Sequence, residues 1–554
     1  MTSASPNGGA PSNGEPVRSP RIPDAISIPP EILARHRARL LDPATAVRGS
    51  DNIRPLSTAY RSDTLLVPAG ELESLVPDND LNNALDELGV ELRRPRDENW
   101  NGVIGRLPRE LGVPVPLVRK PGRAADRAPD PWAALVTLRE RLGVDRVAGF
   151  GLEHLVMAAS LTVEGAPVSN GGMVGGMPVS NGGNVGGGVA LYTGNRNPVA
   201  MLMRPPVRRP VGELAGHRRP VVAVLDTGIG THPWWTPEPD PADPIIEVST
   251  EFQTMLALHE TGLALANGAE PHPLDDPAEQ QDEIQPLLGL TDSHAGHGTF
   301  VTGLVHQLCP DAKVLSLRLL HTDGFSTEGS LLLALNWLAE RVEAAVDHGQ
   351  PDKMIDVVSL SLGFYPETAE PSQVQQVATL INRLTAKGVL VVAAAGNDAT
   401  TRPFLPAAFG RGEGSAAGGI ELLAAVGARN APGITTAAFS NHGDWISRWA
   451  PGNALVSTVP MWQGAGGPGL VYPDSLGVGP RMRTAPDPDD LRSGFAVWAG
   501  TSFATPVVAG LLADALSRDV AKAGEDGRAK RALEAADAEL AGRRWQGPLP
   551  APPL

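Results

Sequence analysis

A chain of 554 residues, 42% apolar and 19% charged, can bury a large core and is long enough for one large domain plus a smaller one. Its net charge of −16 argues against a nucleic-acid partner, which would want a basic face, and its single cysteine, Cys309, leaves no internal disulfide. No apolar run approaches the ~18 residues that span a bilayer, and no basic segment followed by an apolar core opens the chain. The expectation is therefore a cytoplasmic protein without membrane contact, with secretion by an unrecognised route as the alternative.

In chain order, residues 1–27 are mostly Ser, Pro, Gly and Asn and read as a disordered arm. Residues 28–160 carry the pattern of a small α+β domain. "DTLLVPAG" reads as a strand, and "LNNALDELGVELR" as a short helix followed by a strand. "DPWAALVTLRERLGV" is a helix with Asp130 near its start and Gly143 at its end. The Pro/Arg-rich "LRRPRDENWNGVIGRLPRE" is expected on the surface. An imperfect Gly-rich repeat around Pro167 and Pro178 opens a linker and lead-in strand over 161–215.

From 216 to 518 the grammar changes. Short apolar runs ("VVAVLD", "KVLSLRLL", "DVVSLSLG", "VLVVAAAGN", "ELLAAVGA") alternate with longer helical patterns ("TEGSLLLALNWLAERVEAAVDHG", "SQVQQVATLINRLTAKG"). Strands apolar on both faces, separated by helices, predict an α/β fold with a doubly wound, mostly parallel sheet. In such sheets reactive groups collect at the carboxyl ends of the strands. Asp226 stands at one such end and Asn397 at another. The last stretch, 519–554, reads as an exposed charged helix and a Pro-rich tail.

Asp226, in "VVAVLDTGIG", has three readings. An aspartic-protease dyad needs a second Asp-Thr-Gly or Asp-Ser-Gly, and the chain has none. A dinucleotide turn needs G-x-G-x-x-G opening a helix, whereas here Pro and two Trp follow two glycines. The third reading is the acid that orients a histidine. His297 stands between Gly296 and Gly298 at the start of a helix, small neighbours that let other backbone approach its ring. Ser502, in "GTSFATPVVAG", falls in the first turn of an apolar helix, because Pro506 is tolerable only near a helix start. A serine hydroxyl becomes nucleophilic when a histidine takes its proton, and a carboxylate fixes that histidine's tautomer.

The segments "AVLDTGI", "GHGTFVTGLV", "SLSLG", "VVAAAGN" and "GTSFATPVVAG", in this order, resemble the subtilisin-like (S8) serine peptidases. The resemblance implies Asp226, His297 and Ser502 as a catalytic triad and Asn397 as the oxyanion-hole donor. It also implies Ser361, Leu362 and Gly363 as a strand edge that pairs with substrate backbone. Sedolisins, which place Glu and Asp where this chain has His297 and Asn397, are excluded. The implied activity is endopeptidase cleavage of protein or peptide substrates through an acyl-enzyme. A catalytically silent binding or scaffold protein is the alternative. No cofactor is required. Structural calcium is left open, although D-x-D-x-D spacing is absent. The 28–160 domain is a candidate propeptide or regulator docked on the active site.

Three departures from the family pattern stand out. Phe300 replaces its second histidine and is expected to alter packing alone. Residues 233–296 hold many Asp and Glu but no Lys or Arg, and read as a solvated acidic loop. Residues 461–493, rich in Gly and Pro, read as a rim or lid before Ser502.

Overall fold

The computed structural model describes residues 26, 28–49, 52–76, 79–120, 128–159, 196–202, 204–214, 217–284, 286–368, 374–410, 419–431, 433–464, 472–473, 482–483, 490–519 and 527–542. The expected N-terminal arm, the Gly-rich repeat and most of the 461–493 rim fall outside these residues.

The N-terminal region is a small α+β unit. Its strands are β1 (Ala38–Leu40), β2 (Ala59–Pro68), β3 (Val90–Leu92), β4 (Gly112–Arg119) and β5 (Gly151–Ala158). They pair antiparallel in the order β5-β2-β4-β3, with β1 on β2. Helices α1 (Glu98–Ile104) and α2 (Pro131–Leu142) cover one face. Asp130 caps α2 by accepting the Trp132 amide at 3.1 Å, and Gly143 ends it with φ +86°. The Pro/Arg-rich stretch lies largely on the surface, with Arg93, Arg94, Arg96, Arg106 and Arg109 exposed, but it also turns one helix face inward. Asp97 caps α1 within it, and Trp100 is 0% exposed. One large apolar ring outweighs the charge around it once a helix points it inward.

The main body is a seven-stranded parallel sheet, formed by β6 (Val221–Asp226), β7 (Ile246–Val248), β8 (Lys313–Arg318), β10 (Val357–Leu360), β12 (Leu390–Ala394), β13 (Leu423–Arg429) and β14 (Arg448–Pro451). Their order is β14-β13-β12-β10-β6-β8-β7, every pair parallel. Side chains on a strand alternate between faces. Ala223 and Leu225 accordingly join one core, with Phe252, Leu256, Leu331 and Leu338, while Val222 and Val224 join the other, with Val301, Val508 and Leu512. The first core is covered by α3 (Thr250–Ala266), α5 (Glu328–Asp347) and α6 (Gln375–Ala386). The second is covered by α4 (His297–Leu308), α7 (Thr501–Arg518) and α8 (Arg528–Gly542). This is the expected doubly wound sheet. The C-terminal helix α8 is more than a solvated face, since Ala532, Leu533, Ala536 and Leu540 are buried in the second core.

The two units share more than a boundary. Leu66 and Val156 of the N-terminal sheet lie in the core that holds Leu331 and Leu335 of α5. Strand β5 is clamped between β9 (Phe325–Thr327) and β11 (Leu362–Gly363) of the main body, antiparallel to both.

Candidate active site

Asp226 is the last residue of β6 and is buried. The turn after it needs glycine, because Gly228 has φ +102° and a Cβ there would meet the Pro277 carbonyl at 2.8 Å. His297 is the first residue of α4, preceded by Gly296 at φ +89°. Gly298 earns its place differently from expectation. A Cβ there would lie 2.2 Å from the Gly228 carbonyl oxygen, so the backbone it admits is the Asp226 turn, not a chain lying over the ring.

This close approach joins acid and base. His297 Nδ1 donates to Asp226 Oδ1 at 2.6 Å, and the Thr227 amide donates to the same oxygen at 2.8 Å. With Nδ1 so engaged, Nε2 carries the lone pair, and it is buried without a hydrogen-bond partner. The ring sits in an aromatic wall, with its centroid 5.5 Å from Trp498, edge to face, and 5.1 Å from Phe503. Phe300 completes the wall 4.5 Å from Phe503. Nearby His294 is buried, and desolvation followed by the neighbouring His297 pushes its pKa down to about 3.

Ser502 is the second residue of α7 and is fully buried. Its hydroxyl is not on His297 but donates to the Ser361 carbonyl at 3.0 Å. Ser361 Oγ in turn donates to the Ser502 carbonyl at 2.7 Å. That second bond has a covalent cause. Pro506 stands four residues on and has no amide to offer the Ser502 carbonyl, so the Ser361 hydroxyl replaces it. Pro506 therefore lies deeper in the helix than the sequence argument requires, and its missing bond is supplied from another strand. Asn397 Oδ1 accepts the amide and the hydroxyl of Thr501, both at 2.9 Å, which leaves its buried Nδ2 without a partner.

Ser361, Leu362 and Gly363 form an edge already paired with this chain's own β5. Leu362 registers with Ala158 and Gly363 with Met157. The Ala159 amide donates to the Ser361 carbonyl at 2.9 Å, and the Ala158 amide to the Gly324 carbonyl at 2.8 Å. The Ser502 amide donates to the Ala159 carbonyl at 2.8 Å. The Ala159 side chain is buried with Tyr365, Ala394 and Phe404.

The 233–296 segment is not simply a solvated loop. It contains α3, capped by Ser249, and it buries Glu279 and Asp292. Glu279 hydrogen-bonds Thr227 and Thr299 beside the Asp226–His297 pair. Sequence reasoning missed it, and no local motif marks it. Among the described residues no group of three or more His, Cys, Asp or Glu is placed to hold a metal ion. Among them, too, no helix is long and apolar enough to cross a membrane.

The parallel doubly wound sheet, with Asp226 at the carboxyl end of β6 bonded to His297 at the start of α4, is the architecture of the subtilisin-like class. The model of the Subtilase family matches residues 217–539, and the chain belongs to that family. Among curated relatives, the chain is 27% identical over 238 residues to the "Thermophilic serine proteinase" of Bacillus sp. (strain AK1), covering 43% of this chain and 43% of that one. It is 28% identical over 262 residues to the "Minor extracellular protease Epr" of Bacillus subtilis (strain 168), covering 45% of this chain and 31% of that one. "Subtilisin BL" of Lederbergia lenta is 27% identical over 248 residues, 43% of this chain and 66% of its own. The chain thus spans less than two thirds of each relative's length. A solved "cold adapted subtilisin-like serine proteinase" aligns over 53% of this chain and 73% of its own, at 18% identity and a TM-score of 0.31.

Proposed function

We propose that the chain is a serine endopeptidase. Ser502 Oγ attacks the substrate carbonyl carbon, and His297 Nε2 takes its proton. Asp226 holds the imidazole and stabilises the imidazolium. The C–N bond then breaks as His297 returns the proton to the leaving amine. Water hydrolyses the resulting ester and restores Ser502. The Ser502 amide and Asn397 Nδ2 donate to the developing oxyanion. The observation that carries this reading is the buried His297–Asp226 bond of 2.6 Å with an unpartnered Nε2. Asn397 supports it, because Thr501 engages its oxygen and leaves its amide free to donate. For this step the Ser502 hydroxyl must leave the Ser361 carbonyl it is bonded to and turn to His297.

The N-terminal unit is then an intramolecular occupant of the cleft. Residues 157–159 take the place of substrate on the Ser361–Gly363 edge, and the Ala159 carbonyl holds the Ser502 amide. The bond following Ala159 is the one presented for cleavage. A serine peptidase clamped on its own strand stays inhibited until that bond breaks and the fragment leaves.

The test is expression of wild type beside Ser502→Ala. Wild type is expected to hydrolyse a protein substrate and to yield a fragment ending at Ala159, and Ser502→Ala to do neither. Equal hydrolysis by both overturns the assignment of Ser502. An inert wild type that stays full length supports the silent scaffold instead. A full-length wild type that cleaves substrate leaves the peptidase and removes the cleavable propeptide.

A further inference from the structure

Glu279 belongs to the acidic segment between Asp226 and His297, yet it is only 5% exposed. Its carboxylate lies between the two pieces of chain that carry the acid and the base. Oε2 accepts the Thr299 hydroxyl and, at 3.2 Å, the Thr299 amide. Oε1 accepts the Thr227 hydroxyl and, at 3.3 Å, the Gly298 amide. The Glu279 amide donates to the Ile229 carbonyl at 3.2 Å, which ties its own backbone to the Asp226 turn. The two amides it receives belong to the first turn of α4, where amides have no partner within the helix and the helix dipole favours a negative charge.

The decisive atom is the Thr227 hydroxyl, which has one proton and two carboxylates in reach. Asp226 Oδ1 is 3.3 Å away and Glu279 Oε1 is closer. The Gly298 amide already donates to the Thr227 oxygen at 2.8 Å, which fixes the hydroxyl between them. Glu279 therefore accepts the hydroxyl's hydrogen bond, and Asp226 Oδ1 is spared a third donor beside the His297 ring and the Thr227 amide. A carboxylate that receives fewer donors keeps more of its charge for the remaining partner, here the imidazole.

We propose that Glu279 is a positioning residue for the Asp226–His297 pair. It locks the Asp226 turn to the first turn of α4, and by claiming the Thr227 hydroxyl it leaves the charge of Asp226 directed at His297. The inference rests on the peptidase reading above.

Other charged groups surround the pair. Asp226 itself faces Glu279. His294 lies 5.9 Å from His297 between ring centroids. Arg318 Nη1 donates to the Asp276 and Ala278 carbonyls, on the segment that carries Glu279. Arg196 lies over the Trp498 ring that walls His297. Burial, helped by the Asp226 charge, raises the Glu279 carboxyl above the usual carboxylate range, and the Thr227 and Thr299 donors offset only part of that. Against the raised value stands the geometry: two backbone amides that cannot turn away and two hydroxyls all point donors at its oxygens, the arrangement that suits the ionised form.

The experiment measures kcat and KM against pH on a peptide substrate, with thermal midpoints, for wild type, Glu279→Gln, Glu279→Asp and Thr299→Val. Glu279→Gln keeps the size and removes the charge. Its acid limb of kcat/KM is expected to move to lower pH by about half a unit, because a lost negative charge disfavours the imidazolium. Its kcat is expected to fall ~10-fold with KM nearly unchanged. Glu279→Asp keeps the charge, and its acid limb is expected at the wild-type position. Thr299→Val strips the carboxylate of a donor and favours its neutral form, so it is expected to move the limb the same way by less. It supplies the reading if Glu279→Gln does not fold. A lowered thermal midpoint with an unmoved acid limb overturns the proposal and leaves Glu279 a structural residue. A wild type without turnover fails the peptidase reading instead.

Discussion

Gly298→Ala sets two effects of opposite sign against each other. Alanine is favoured over glycine in a helix by about 1 kcal/mol. Against that, the added Cβ would lie 2.2 Å from the Gly228 carbonyl oxygen and 3.1 Å from the Gly228 amide nitrogen. Carbon and oxygen in ordinary contact stand about 3.3 Å apart, so the two pieces of backbone must part by about 1 Å. Neither has a side chain that could yield, and the Gly228 turn is fenced on its far side by the Pro277 carbonyl. Overpacking of this kind costs about 1–3 kcal/mol, so the steric term wins and a net loss of about 1 kcal/mol is expected. The catalytic effect is larger. The gap that opens is the one spanned by the 2.6 Å bond from His297 to Asp226, and displacement of reacting groups by ~1 Å costs on the order of a hundredfold in rate. The assay is kcat on a chromogenic peptide together with a calorimetric midpoint. Gly102→Ala is the control, since a Cβ there meets nothing within 4 Å; it is expected to stabilise slightly and leave kcat alone. A Gly298→Ala enzyme with wild-type midpoint and wild-type kcat would refute the reasoning.

Further outcomes follow from the same contacts. Asn397→Ala is expected to lower kcat about a hundred- to a thousandfold with little change in KM, as loss of an oxyanion donor does; steady-state kinetics on the folded variant checks it. Ser361→Ala leaves the Ser502 carbonyl with neither a helix amide nor a hydroxyl, and is expected to cost about 1–3 kcal/mol in denaturant unfolding. Because Ala159 is buried among Tyr365, Ala394 and Phe404, small residues are expected at the cleaved position, and Ala159→Trp is expected to block self-cleavage in an intact-mass time course. His154 of β5 lies between Glu328 at 2.5 Å and Glu367 at 2.8 Å across the seam between the two units. Burial pushes its pKa down, but the two carboxylates outweigh that and hold it at about 10. A pKa raised on folding stabilises fully below the unfolded value of about 6.5 and ceases to do so as pH rises through the folded value. In the Ser502→Ala background, His154→Gln is therefore expected to lower the thermal midpoint most at pH 6 and hardly at pH 10. An equal drop at both values would remove the ion cluster from the seam.

The main sheet was legible because its strands are short, β-branched and apolar on both faces, and because helix-period segments separate them. The meeting of Asp226 and His297 was legible because each adjoins a glycine at a close approach of backbone, Gly228 and Gly298, while Asn397 and Ser502 were singled out by the motifs they share with the family. What escaped has no local signature. Glu279 stands 53 positions after Asp226 in a stretch read as solvated, and its burial depends on the fold around it. The Ser361 hydroxyl that replaces the amide missing at Pro506 is remote in sequence from the helix it completes. Trp100 is buried in a run whose average is charged, because the amphipathic period of one short helix outvotes composition. The Ser502 hydroxyl faces the Ser361 carbonyl and not His297, an orientation that spacing along the chain cannot encode.

The most direct measurement is peptide mapping of a fluorophosphonate adduct on the purified protein after its N-terminal fragment has been removed. A single adduct on Ser502, lost in His297→Ala, is the result expected of a hydroxyl activated by that imidazole. An adduct on another residue, or none in a preparation that still cleaves protein, would contradict the assignment.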